Sequence, residues 1–231
     1  MLFIFLLVGG YFAYQRLGAS VERTVRLGAW LRNPQQYSGW SVHALERCGE
    51  APFLIPTDGY VGYLWGDAFR LGRKHQGIDI FGGTEAGRVP VYVAHAGYLT
   101  RLWDWKSSVI IRIPHDPLYP ERQIWMYYTH MADAEGNSLI DPEFPPGTRE
   151  EFVEAGILLG YQGDYSGDPL HPVGVHLHFS IVLSDEQGYF LNELQFENTA
   201  DPSLYFGLSL NAQQNLAGAP VCDGERQDEG G

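Results

Sequence analysis

Two short histidine patterns in this 231-residue chain could do chemistry. In RKHQGIDIF, His75 and Asp79 stand four apart with Gly77 between them, and in VHLHF, His176 and His178 stand two apart. Side chains along a strand alternate between faces, so positions two or four apart point the same way. On a strand His176 and His178 share a face, and so do His75 and Asp79 if that strand starts as early as His75. A helix would send His176 and His178 in widely separated directions. His130, in YYTHM, alternates with Thr129 and shares a face with Tyr128. With eight histidines in the chain, one His-x-His pair carries little weight alone; the combination carries more. Two histidines and a carboxylate, with water in an open fourth position, make a catalytic zinc set. The same donors suit non-haem iron and oxygen chemistry, and spacing leaves that open. The two cysteines, Cys48 and Cys222, are too few for a cysteine-based zinc ribbon or an iron–sulfur site.

The segments that must position these residues read as strands. From Pro52 to about Gly207, runs rich in Val, Ile, Tyr and Trp alternate with Gly, Pro and Asp turns: GYVGYLWG, GIDIFGG, VPVYVAHAGYLTRL, SSVIIRIP, QIWMYYTHM, GILLGYQG and VHLHFSIVL. That pattern predicts an all-β domain over residues 52–207, with antiparallel sheets packed on each other and minor helices. Its most helix-prone stretch is Thr148 to Ala155. A composition of 45% hydrophobic and 19% charged residues excludes a wholly disordered chain. A net charge of −13 excludes a general nucleic-acid binder, since nothing would neutralise phosphates.

The flanks differ from this core. Met1 to Tyr14 carry no charged side chain, a run short for a membrane span and suited to the core of an export signal. Residues 1–19 are therefore expected to be an export signal or anchor, although Arg16, Arg23 and Arg26 follow the run, opposite to the usual charge rule. Residues 20–51, with turn signals at Asn33-Pro34 and Ser38-Gly39, read as a linker with one short helix. Residues 208–231 read as an acidic, disordered tail. Cys48 and Cys222 bracket the core; a bridge between them and two separate thiols stand at even odds, and an oxidising compartment would favour the bridge.

The order of HQGIDIF, VPVYVAHAGYL, YYTHM, VEAGILLGYQG and VHLHF resembles the LytM/lysostaphin-type zinc metallopeptidases, which cut peptide cross-links in bacterial cell walls. The resemblance runs from about Phe53 to Phe206. It implies a sandwich- or barrel-like catalytic domain in which His75, Asp79 and His178 bind Zn2+ and His130 and His176 are catalytic. His176 is assigned as general base and His130 as transition-state stabiliser, with the reverse split open. The implied substrate is a stem peptide or cross-bridge of peptidoglycan, and the implied location is extracytoplasmic, either secreted or attached to the membrane through the N-terminal segment. Gly77 is expected to let the backbone pass close to the metal.

The chain departs from the family at several points. Ser180 follows HLHF where the family usually has Glu, and Val175 stands where Pro is common. Two insertions, Asp133 to Thr148 and Asp168 to Val173, are expected on loops that wall a substrate groove. Two other functions compete: a silent LytM-like module that binds the wall or activates a hydrolase, and a zinc peptidase with a non-wall substrate. Silent members generally lose ligands or catalytic histidines, and all five are retained here, which favours activity. His43, His95, His115 and His171 read as surface or strand-end residues. Trp103, Trp105 and Trp125 could line a groove, with core packing the better reading for Trp125, and one of Tyr127 and Tyr128 belongs in the core.

Overall fold

Alternation along the central strands decides both what is buried and what faces the site. The computed structural model describes residues 19–70, 73–215 and 218–222. The Val/Ile/Tyr-rich runs form β1 (Ser41–Val42), β2 (Gly59–Tyr63), β3 (Ala68–Arg70), β4 (Arg73–Lys74), β5 (Ile78–Phe81), β6 (Pro90–Tyr92) and β7 (Gly97–Thr100). The chain continues through β8 (Val109–Ile113), β9 (Ile124–Thr129), β10 (Glu151–Val153), β11 (Leu158–Tyr161), β12 (Leu177–Leu183) and β13 (Thr199–Ala200). The main sheet is antiparallel, in the order β1-β2-β5-β12-β9-β8-β7-β10, with β13 also paired to β12. Two small sheets, β6–β11 and β3–β4, complete an all-β architecture.

One face of the main sheet carries Ile78 and Ile80, Val109, Ile111 and Ile113, Met126 and Tyr128, and Leu177, Phe179 and Ile181. With Phe53, Phe206, and Val91 and Leu159 of the β6–β11 sheet, they form the principal core. The opposite face carries Asp79, Phe81, Trp125, Tyr127, Thr129, His178, Ser180 and Val182. This second face is covered in two places. At one end Trp105, Phe190 and Leu191 pack on Trp125 and Val182; at the other Leu27 and Trp30 pack on Tyr60 and Phe81. Between these covers lies an open groove.

The second cover is a helix, α1, over residues 19–32, in the segment expected to be a linker with one short helix. Its buried positions, Ala19, Arg23, Leu27 and Trp30, follow helical spacing. Asn33-Pro34 ends it, since a residue before proline is driven out of helical geometry. Arg23 bonds both carboxylate oxygens of Asp67 and the carbonyl of Asn215, so a charged residue sits inside the buried stripe. None of the described helices is long and apolar enough to cross a membrane. The signal or anchor expected over residues 1–19 lies outside the described residues except for Ala19, which begins α1, and 223–231 of the expected tail also lies outside them.

Two other expectations change, and the question left open for Cys48 and Cys222 is decided. Thr148 to Ala155 is not helical: Glu151–Val153 forms β10 and pairs with β7, because three ladder positions outweigh a short helix's marginal propensity. Residues 208–215 are ordered onto the domain, with Leu208, Leu210 and Ala212 buried in the core. Cys48 and Cys222 form a disulfide that ties the two flanks together across 174 positions. A second helix, α2 (Ser203–Phe206), ends at Gly207, whose φ of 67° is the left-handed geometry that glycine adopts without strain.

Candidate metal centre and groove

β12 lies between β5 and β9, and its register places His178 directly opposite Asp79 on one side and Thr129 on the other. Cross-strand neighbours of this kind bring their side chains together on the same face. His75 arrives differently from the continuous strand considered above, because β5 begins only at Ile78. Its backbone bonds Gly66 and Asp67, and these bonds aim its ring back over the sheet. Gly77 makes this path feasible, but not by approaching a metal. A Cβ there would lie 2.1 Å from the Phe179 carbonyl oxygen, so glycine permits close contact with β12.

The result is a compact set of three donor atoms. His75 Nε2 is 3.0 Å from His178 Nδ1 and 3.1 Å from Asp79 Oδ1, and His178 Nδ1 is 2.8 Å from the same oxygen. Bonds of 2.0–2.1 Å to a tetrahedral zinc would set its ligands about 3.3 Å apart. The observed triangle is a few tenths of an ångström tighter and opens onto the groove, so the residues fit a three-ligand ion with one position available. All three side chains are buried. The outer nitrogen of each ring is engaged: His75 Nδ1 donates to the Leu64 carbonyl at 3.1 Å and His178 Nε2 to Glu193 Oε1 at 2.9 Å. Such outer bonds fix the tautomer and aim the inner nitrogen at the ion.

Without an ion, the electrostatics of the triangle are those of a buried ion pair. Burial would raise the Asp79 pKa, but His75, His176 and His178 outweigh it and hold that carboxyl well below its ordinary range. Burial works against charge on His178, yet the hydrogen bonds and charges of Asp79 and Glu193 prevail and push its pKa up to about 10. Glu193 is itself held low: desolvation opposes its ionisation, and the bond from His178 overcomes it.

His130 and His176 stand beside the triangle, their rings 4.5 Å apart. His176 precedes β12 by one residue and stacks on Phe81. Its Nδ1 donates to the Gly174 carbonyl, and its Nε2 lies 3.7 Å from Asp79 Oδ1. His130 follows the end of β9 with φ at 67°, a left-handed conformation uncommon outside glycine, although Asn, Asp and His adopt it more readily than other residues. That turn swings its ring out of strand alternation, so the expected shared face with Tyr128 does not arise: Tyr128 is in the core and His130 lines the groove. Gly163 brings the two histidines together, since a Cβ there would strike the carbonyls of Ala132 and His130, and Gly163 itself bridges His176. His130 Nδ1 donates to the Tyr165 carbonyl at 2.7 Å. Burial, followed by the neighbouring His176, lowers the His130 pKa to about 4. Burial also lowers that of His176. Both rings are therefore neutral at pH 7, with Nδ1 as donor and Nε2 as the basic nitrogen.

The groove has a volume of about 610 Å³. All five sequence-derived site residues line it, together with Leu27 of α1, Tyr63, Phe81, Tyr127, Val173 and Glu193. Of the two insertions, Asp168 to Val173 contributes Val173, whereas none of Asp133 to Thr148 borders the groove; Ile140 and Phe144 instead anchor it in the core. His43, His115 and His171 are exposed, and His95 is half-buried against Phe53. Trp103 is exposed, Trp105 half-buried in the cover and Trp125 buried. Glu193 and Leu27 carried no motif. Ser180, whose Oγ bonds Glu193 Oε1 at 3.1 Å, shows the connection only in the folded structure.

Neither a family model nor a curated protein sequence matches the chain. Among solved structures, the catalytic domain of the antimicrobial peptidase lysostaphin from Staphylococcus simulans is similar over 64% of this chain and 92% of its own, at 20% identity and a TM-score of 0.42. The catalytic domain of the prophage-encoded M23 protein EnpA from Enterococcus faecalis, in a point-mutant form, is similar over 66% and 97%, at 20% identity and 0.36. A candidate M23 peptidase from Pseudomonas aeruginosa covers 75% of this chain and 58% of its own, at 19% and 0.40.

Proposed function

We propose that the chain is a zinc-dependent endopeptidase that hydrolyses peptide cross-links of bacterial peptidoglycan. The observation that carries this reading is the His75–Asp79–His178 triangle, with both rings oriented from outside, on the floor of a groove that also holds two neutral histidines. Zinc in such a site polarises a carbonyl as a Lewis acid and brings the deprotonation of water toward neutral pH. His176 Nε2, basic and next to the donor set, takes the proton of the attacking water. Once charged, it returns that proton to the leaving amine. His130, its ring 4.5 Å from His176 and 6.2 Å from His178, would hydrogen-bond the developing tetrahedral centre when its Nε2 takes a proton from solvent, and would give that proton back to solvent as the products leave. Tyr63, Phe81 and Val173 give the groove apolar walls for an extended peptide.

The wall substrate is supported by the motif order over about two-thirds of the chain. An extracytoplasmic location is supported by the Cys48–Cys222 disulfide, since such bonds persist in oxidising compartments. Residues 1–19 are then the export signal or membrane anchor. The convergence of all five side chains favours activity over a silent binding module. The test is digestion of purified cross-linked peptidoglycan, read by mass spectrometry of released muropeptides, with unrelated peptides alongside. New peptide ends that vanish with chelator and return with zinc are expected. Cleavage of the unrelated peptides alone would overturn the wall substrate, and no cleavage of either by the zinc-loaded chain would overturn the enzyme.

A further inference from the structure

The carboxylate that bonds the outer nitrogen of His178 lies outside every motif. Glu193 follows β12 by ten positions, in a segment fixed at several points. Leu191 N bonds the Leu183 carbonyl, Asn198 Nδ2 bonds the Asn192 carbonyl, and Gln76 Nε2, next to His75, bonds the Leu194 carbonyl. This framework delivers Glu193 Oε1 to two donors on one face of β12, His178 Nε2 at 2.9 Å and Ser180 Oγ at 3.1 Å. Ser180 is fully buried, so its hydroxyl needs this acceptor. Glu193 lies on the far side of the ring from His75 and Asp79, so it cannot share an ion with Nδ1.

We infer that Glu193, held by Ser180, is a positioning residue that locks the His178 ring with Nδ1 toward His75 and Asp79 and so sets the site's affinity for a divalent metal. An imidazole turned by half a revolution about its Cβ–Cγ bond would move Nδ1 away from the other two donors. The Glu193 bond to Nε2 exists only in the orientation observed. It also holds the second ring proton on Nε2, leaving Nδ1 as the lone-pair nitrogen once an ion is bound. The strand thus keeps a small side chain at 180 while a carboxylate from a different segment does the orienting.

This inference rests on the metal-centre reading, and the experiment separates the two. Zinc affinity is measured by chelator competition for the full chain and for Glu193→Ala, Glu193→Gln and Ser180→Ala, with the visible spectrum of the cobalt(II) form as a report on ligand geometry. Glu193→Ala is expected to lose about 10- to 100-fold in zinc affinity and to change the cobalt spectrum. Glu193→Gln keeps an oxygen acceptor for Nε2–H and is expected to lose less than about tenfold, with Ser180→Ala between it and wild type. Far-UV circular dichroism and the melting midpoint of the metal-free chains register any general loss of structure. Zinc affinity of Glu193→Ala within about twofold of wild type, or an unchanged cobalt spectrum, overturns the positioning role while leaving the metal centre intact. A Gln variant as weak as Ala also overturns it, since charge and not orientation would then be at work. Absence of zinc binding by wild type overturns both.

Discussion

On the proposed reading zinc competes with a proton at His178, and the raised pKa of that ring sets the order of magnitude of the competition. In the metal-free chain His178 is a buried cation between Asp79 and Glu193, with its pKa raised to about 10. Coordination through Nδ1 requires the proton there to leave. At pH 7 the pKa lies about three units above the solution, so uptake is penalised about a thousandfold, or about 4 kcal/mol. The perturbation is simply pH. Apparent zinc affinity is expected to rise about tenfold per unit from pH 7 to 9, and each zinc to release about one proton from this ring. Isothermal titration calorimetry at pH 7.5 in buffers of differing ionisation enthalpy gives the proton count as a slope. A slope of zero, or an affinity flat from pH 7 to 9, would refute the claim that zinc and the proton share Nδ1. Stability of the metal-free chain should move the other way. The folded pKa lies above the unfolded value of about 6.5, so the stabilisation is complete below that pH and is lost as pH rises toward 10. The difference of about 3.5 units bounds this loss at roughly 5 kcal/mol. Melting curves of chelator-treated protein between pH 6 and 10 measure it.

Three further outcomes follow from the geometry. His176→Ala and His130→Ala should each retain stoichiometric zinc by mass spectrometry and lose about 10²- to 10⁴-fold in turnover if, as proposed, they act in the chemistry and not as ligands; loss of the metal from either would place it in the donor set. Arg23→Ala leaves Asp67 buried without its cation and should cost about 3–5 kcal/mol, read as a fall in the chemical denaturation midpoint. An effect under about 1 kcal/mol would mean that α1 is only loosely seated. Reduction of Cys48–Cys222 frees a loop spanning 174 positions and in the chain-entropy model removes roughly 5 kcal/mol, to be compared with a Cys48→Ser/Cys222→Ser double variant by the same denaturation.

What the sequence made legible is whatever depends on alternation. β8, β9 and β12 were readable because apolar residues recur at every second position, and the same period places Asp79, His178 and Ser180 on one face. His75 and His130 were legible as residue types but not as geometry. One is aimed by backbone bonds to Gly66 and Asp67, and the other by a left-handed φ of 67°; neither leaves a periodic trace. The segment of α1 was read as a linker with one short helix; that the helix docks on the domain was not legible, since the burial of Arg23 in its stripe makes sense only once Asp67, 44 positions away, is beside it. Glu193 was invisible for a related reason. It sits in a polar stretch, 15 positions from His178, and only the fold brings the two within 2.9 Å. Thr148 to Ala155 illustrates the reverse case, where pairing with β7 overrides a weak local preference.

The most direct test of the metal centre is the anomalous difference density of a zinc-soaked crystal, collected on both sides of the zinc absorption edge. The expected result is one strong peak on the groove floor, about 2.0–2.2 Å from His75 Nε2, Asp79 Oδ1 and His178 Nδ1, with Nε2 of His178 still bonded to Glu193. A peak bound instead by His130 and His176, or none in the groove at saturating zinc, would contradict it.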